Sequence, residues 1–196
     1  MSSDISEKPF VPFEITVCGI DELPSHCDRG VTHVLTLLDP GWPTPEALAM
    51  LGAGHRLDMR FYDIIDPHPE FSGPEIEHVE KLLAFGRSLP NVGGGHLLVH
   101  CHMGISRSSA ATFLLLAQAR PERPAVEILA EVVRIRPHAW PNLRMVEMGD
   151  ALLGRDGELV RAAVARYRDM LHRRPRLREA MAKLGRAREL DAADAA

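Results

Sequence analysis

No stretch of the 196 residues holds the roughly eighteen uninterrupted apolar residues that a membrane-spanning helix needs. The first ten residues lack a basic segment followed by an apolar one, so no secretory leader is read. Cysteine is scarce. Cys18, Cys27 and Cys101 are too few and too scattered for a disulfide framework, and a reducing, cytoplasmic setting is the expectation. Internal repeats are missing, and low complexity is confined to the Ala/Asp-rich end. Positive charge is also short over most of the chain. Residues 1–160 carry 13 Lys and Arg against 22 Asp and Glu, whereas residues 161–190 carry 10 against 3. An acidic body argues against a general nucleic-acid binder. Any site for an anionic substrate must therefore build its own positive potential. What is present is ordinary for a folded soluble protein, with 45% hydrophobic and 26% charged residues, which excludes disorder along the whole length.

The apolar pattern alternates between strand and helix periods. Strands are predicted over 13–19, 31–38, 56–63 and 96–100. The second ends at Asp39-Pro40-Gly41, a turn signal. Helices or turns are predicted over 21–29, 43–54 (Thr44 as cap, Pro45 at the first position), 75–88, 108–119, 124–135, 145–153 and 158–171. Residues 91–95 read as a glycine-rich turn. Strands alternate with helices as far as residue 120, and only helices follow. The expectation is an α/β fold with a mostly parallel sheet covered by helices on both faces. Its parts would be a tail (1–12), a catalytic domain (13–155) and an Arg-rich helical extension (156–196), with 173–190 outside the compact domain.

One segment carries chemistry: His100-Cys101-His102-Met103-Gly104-Ile105-Ser106-Arg107-Ser108. A short apolar strand delivers a cysteine, five loop residues follow, and then come Arg and Ser at a helix start. Main-chain N–H groups of 102–107 can point at one centre, reinforced by the helix N-terminus. Gly104 permits the tight turn. Arg107 offers a planar fork that matches two phosphate oxygens. A thiol in that field is expected to carry the anion, the competent nucleophile.

This stretch resembles the Cys-x5-Arg-Ser/Thr signature of the cysteine-based protein tyrosine phosphatases. The chain is similar to their compact, dual-specificity-like branch, particularly small bacterial members, over about 13–155. A later helix followed by Arg136-Pro137 and then Pro141-Asn142 fits the same branch. The resemblance implies that Cys101 attacks phosphorus and that Arg107 and the amides of His102, Met103, Gly104, Ile105 and Ser106 hold the phosphoryl oxygens. Ser108 would assist the sulfur as leaving group, and an aspartic acid would move the proton. It implies neither metal nor cofactor. Two acids fall on the implied loop. Asp63 resembles the acid of the small bacterial members, while Asp66 lies at a distance from Cys101 nearer that of the compact dual-specificity enzymes. Asn142 is expected to brace the phosphate loop through its side chain, and His100 to bond backbone and tune the thiolate.

Other features have plainer readings. His96, His100 and His102 alternate along a strand end and do not converge on one metal. Cys18 and Cys27 read as core or surface thiols. Trp42 and Trp140 read as packing residues, though Trp140 could border the pocket. The basic run from Arg161 to Arg188 reads as a solvated helix face, with docking to an acidic partner, contact with a membrane surface or self-association as the alternatives. The oligomeric state stays open. The substrate expected is a phosphorylated protein or a small phosphomonoester. A phosphoinositide or nucleotide phosphate is the alternative, and a silent phosphate-binding module the third reading. No lysine lies in 102–106, which weighs against a highly anionic lipid, although His102 could carry partial charge.

Overall fold

The computed structural model describes residues 9–90 and 94–196. Four strands form one sheet: β1 (Phe13–Cys18), β2 (His33–Leu38), β3 (His55–Arg60) and β4 (Gly95–His100). Their order is β1-β4-β2-β3, and every pairing is parallel. The two central strands are HVLTLL and GHLLVH, buried almost throughout, as strands covered on both faces must be. The charged HRLDMR lies at an edge, where one flank meets water.

The two faces are covered unequally. Val17, Leu35, Leu37, Met59, Leu97 and Val99 share one face and join the main core. That core is closed by α2 (Ile76–Gly86), α3 (Arg107–Ala119), α4 (Ala125–Ile135), α5 (Leu143–Leu152) and α6 (Glu158–Arg173). The opposite face presents Cys18, Val34 and Leu98 to a small cluster. Its cover is a 3-10 helix (Ile20–His26) and the single turn α1 (Ala47–Met50). The helix predicted over 43–54 thus shrinks to one turn, because Gly52 and Gly54 follow and no side chain caps its start. In α4, Ala125, Ile128, Leu129 and Val132 repeat at helical spacing and are all buried, each larger one stabilising the fold by roughly 1.5–3 kcal/mol. Asp150 accepts hydrogen bonds from the N–H groups of Gly157, Leu159 and Val160, and so holds the start of α6.

The C-terminal segment does not stand apart. After α6 come α7 (Leu177–Lys183) and α8 (Ala187–Ala195), and Met181, Leu190 and Ala193 are part of the main core. Tyr167 stacks on Trp140 with ring centres 4.5 Å apart and donates its hydroxyl to the Pro141 carbonyl. Part of the basic run faces inward. Arg186 is buried, and Arg166 and Arg188 donate to the carbonyls of Pro137 and Ile65. Arg173 and Lys183 remain on the surface, paired with Asp169 and Glu179. Of the leucines and methionine along this basic run, Leu171, Met181 and Leu190 are buried, whereas Leu184 is 69% exposed. No helix among the described residues is long and apolar enough to cross a membrane. Of the 91–95 turn, residues 91–93 lie outside the described residues.

Candidate active site

β4 ends at His100, and the chain turns at once through residues 101–106 into α3. Every carbonyl of the loop proper is turned outward and bonded. That of His102 accepts from Ile20 N–H, and those of Met103 and Gly104 from the Arg136 guanidinium. That of Ile105 accepts from Trp140 N–H, and that of Ser106 from Asn142 N–H. Among the described residues, the N–H groups of 102–107 have no acceptor within the protein. With the carbonyls fixed outside, the amides face the space above Cys101, an arrangement that selects an anion. Gly104 makes the turn possible. Its φ is +67°, and a Cβ there would lie 2.5 Å from the carbonyl carbon of Cys18.

Cys101 is buried at the base, with Ser108 Oγ 3.2 Å from its sulfur. Arg107 is buried as well. One terminal nitrogen donates to Asp39 Oδ1 at 2.8 Å and to the Phe61 carbonyl at 2.5 Å. The other donates to His102 Nδ1 at 2.6 Å. Its Nε, buried, has no partner in the protein. The guanidinium is thus fixed in orientation while Nε–H and one N–H of the second terminal nitrogen stay uncommitted.

The acid candidates separate cleanly. Asp63 follows β3 and lines the cavity above Cys101. Its Oδ1 accepts from Ser106 Oγ at 2.8 Å, Asn142 Nδ2 at 2.8 Å and Arg186 at 2.7 Å. Burial pushes its carboxyl up, but Arg186, Arg107 and the Asn142 hydrogen bond outweigh this and hold it below the usual range. Asp66 instead pairs with Arg188 on the surface and does not line the cavity.

Three supporting expectations are corrected and one is extended. Asn142 braces Asp63 with its side chain, and reaches the loop only through its main-chain N–H to Ser106. His100 bonds the Thr36 hydroxyl across the sheet at 2.8 Å, in addition to a contact with the Cys101 main chain. Burial brings its pKa down to about 4, so it is neutral. His102 accepts from Arg107, and burial followed by the Arg107 charge lowers its pKa, so it orients the guanidinium instead of adding charge. Trp42 is 47% exposed and packs edge-on against His102, 4.5 Å between ring centres, rather than in the core. His96 bonds Thr16 and the Arg29 carbonyl, so the three histidines are committed to separate partners.

The roles of four contributors escaped the sequence reading. Asp39 lies in a turn identified only as a turn. Arg136 is the clamp on the loop carbonyls and is itself paired with Glu22 at 2.8 Å. Arg186 and Glu189 come from α8 and its approach. The cavity, about 370 Å³, is lined by loop residues with Trp140, Met170, Leu177, Met181 and Leu184. Trp140 does border it, as the sequence allowed. Met103 reaches the same space and is exposed, whereas Ile105 is partly buried against the core.

The fold has known counterparts. The structure of Tk-PTP in its active form superposes with a TM-score of 0.50 at 24% identity, covering 76% of this chain and 99% of that one. The chain has the fold of the cysteine-based protein tyrosine phosphatases. A variant of human DUSP28 gives 0.52 at 19% identity, over 74% and 95% of the two chains. PTPMT1 in complex with PI(5)P gives 0.50 at 17%, over 72% and 91%. By sequence, the human protein phosphatase Slingshot homolog 3 is 43% identical over 63 residues. That match takes in 31% of this chain, which spans only 9% of that protein. No family model matches. The Cys101-to-Ser108 signature stands on this fold at the junction of β4 and α3.

Proposed function

We propose that the protein hydrolyses phosphomonoesters through a cysteinyl-phosphate, with phosphotyrosine as the favoured substrate. The observation that carries this reading is the loop with all its carbonyls bonded outward and its amides free above Cys101. A tetrahedral dianion seated there places its phosphorus in front of the sulfur. The Cys101 thiolate forms the S–P bond as the P–O bond to the leaving group breaks. Arg107 Nε and the amides hold the three equatorial oxygens as charge develops on them. Asp63, whose carboxyl Arg186 and Arg107 hold low, carries a proton on the acid side and gives it to the departing oxygen, so turnover is expected to be highest at acidic pH. Water then forms a new P–O bond as the S–P bond breaks, and its proton passes to the Asp63 carboxylate. Ser108 donates to the sulfur and eases its departure.

The apolar wall of Trp140, Met170, Leu177, Met181 and Leu184 supports an aryl leaving group over a headgroup bearing several phosphates. A phosphoinositide is the second reading. It is favoured by Arg174 at the same cavity, and PTPMT1 was crystallised with such a ligand. Phosphate release from phosphotyrosine, phosphoserine and phosphothreonine peptides and from phosphoinositides ranks the classes directly, with phosphotyrosine expected first. Cys101→Ser should abolish hydrolysis of p-nitrophenyl phosphate in metal-free buffer. Turnover surviving that substitution rejects the nucleophile, and a wild-type protein that binds phosphate without turnover is a silent module.

A further inference from the structure

Asp63 is held by a part of the chain that no signature marks. Three donors converge on its Oδ1, and only Arg186 among them is charged. Among the described residues, Oδ2 accepts no hydrogen bond from the protein, although Asp63 lines the cavity. Arg186 stands at the start of α8 with its side chain only 6% exposed. It also donates to the Asp63 main-chain carbonyl at 3.2 Å and reaches Glu189 at 3.5 Å. Glu189 is fully buried and fixed by Trp140 Nε1 at 2.6 Å and by the N–H of Leu143 at 3.0 Å. Leu143 follows Asn142, the second donor to Asp63. The start of α5, α8 and the loop after β3 are thereby closed into one polar ring around a single carboxyl oxygen.

Resting on the reading of Asp63 as the proton carrier, we propose that Arg186 is a positioning residue: it clamps Oδ1 and leaves Oδ2 as the atom that gives and takes the proton. The Oδ2–H bond breaks as the leaving oxygen gains that proton, and in the second step a proton from water returns to Oδ2. Besides Arg186, the ionisable groups facing Asp63 are Glu189 from α8, Arg107 from α3 and His102 from the loop, and Cys101, His138 and Arg174 line the same cavity. Arg107 is engaged by Asp39, His102 accepts from Arg107 through Nδ1, and Glu189 shares Arg186 with Asp63. Removing the Arg186 charge therefore has one direction: the Asp63 carboxyl rises.

The test uses the full chain and two substrates, p-nitrophenyl phosphate and phenyl phosphate, whose poorer leaving group depends more on protonation. In Arg186→Met the basic limb of kcat/KM should move to higher pH by at least about one pH unit. Turnover of phenyl phosphate should fall about tenfold more than that of p-nitrophenyl phosphate, as expected for a misplaced acid. Equal losses on both substrates with the basic limb in place would mean a merely structural role and overturn the proposal. Should Arg186→Met fail to fold, Arg186→Lys carries the test. It keeps charge without the fork, so the basic limb should stay and the preference for the better leaving group should steepen; an unchanged preference refutes the clamp. Asp63→Asn separates the two ideas. If it leaves the basic limb untouched, the assignment of Asp63 itself fails, whatever Arg186 does.

Discussion

Replacing Gly104 by alanine tests the phosphate loop at its tightest point. The residue sits at φ +67°, where an L side chain costs about 1–2 kcal/mol. The added Cβ would also meet three main-chain atoms of the neighbouring strand end: Cys18 C at 2.5 Å, Cys18 O at 2.7 Å and Gly19 N at 2.7 Å. None of these is a flexible tip that can swing aside. Ordinary contact requires the loop and the end of β1 to separate by about 1 Å, and overpacking of this kind costs a further 1–3 kcal/mol or so. Gly104→Ala should therefore lose about 2–5 kcal/mol in denaturant unfolding. The same displacement moves the amides off the phosphoryl oxygens. A shift near 1 Å is worth about a hundredfold in rate, so kcat/KM for p-nitrophenyl phosphate should fall by about that factor. Both readouts are needed, since lost stability alone would not reduce turnover of the folded fraction. A Gly104→Ala protein that folds and keeps kcat/KM within about threefold of wild type would show that the amides at this turn do not hold the substrate.

Arg136→Ala removes the donors to the carbonyls of Met103 and Gly104; the loop should loosen, and kcat/KM should drop roughly 10- to 100-fold in a protein that still unfolds cooperatively. Asp39→Asn takes the charged partner from Arg107 but leaves Phe61 O and His102. A fall of about tenfold in kcat/KM with little loss of melting temperature is expected, and a wild-type rate would show that the guanidinium orients itself without Asp39. Glu189 is pushed up to about 7 by burial from an ordinary 4.5, so the folded state binds its proton more tightly than the unfolded one. Its contribution falls as pH rises from about 4.5 to 7 and is flat above. His100, held near 4, contributes oppositely between 6.5 and 4, which masks the effect in the wild type. Comparison with Glu189→Gln isolates it. The stability of the variant relative to wild type should increase with pH across that window by up to about 3 kcal/mol, and a pH-independent difference refutes the assignment.

The strand–loop–helix core of the site was readable because its chemistry is local. Cys101, Gly104, Arg107 and Ser108 lie in one short run, and each residue type has a geometric reason to be there. A mostly parallel sheet was readable for a similar reason, since buried central strands such as HVLTLL leave a nearly continuous apolar run. What the sequence hid was set by partners far apart along the chain. Asp39 and Arg107 meet because the turn after β2 lies beside the loop after β4, which depends on strand order. Asp63 and Asp66 differ by three positions, and only the path of the chain after β3 turns one to the loop and the other to Arg188. The Arg-rich end misled most. Arginines look solvated in a sequence, yet Arg186 is buried because Asp63 and Glu189 compensate it, and neither partner could be known before the helices were placed.

The position of β4 bears on how the molecule comes together in time. Its partners are reached by pairing Phe13 with Gly95 and His33 with Leu97, residues far apart along the chain. Closing loops of that size costs entropy before any contact compensates it, so the strand that delivers Cys101 is laid down late and slowly. The hollow above the sulfur is therefore complete only once β4 has paired on both sides. An anion such as vanadate, bound only by the finished hollow, should slow unfolding while leaving the refolding rate unchanged.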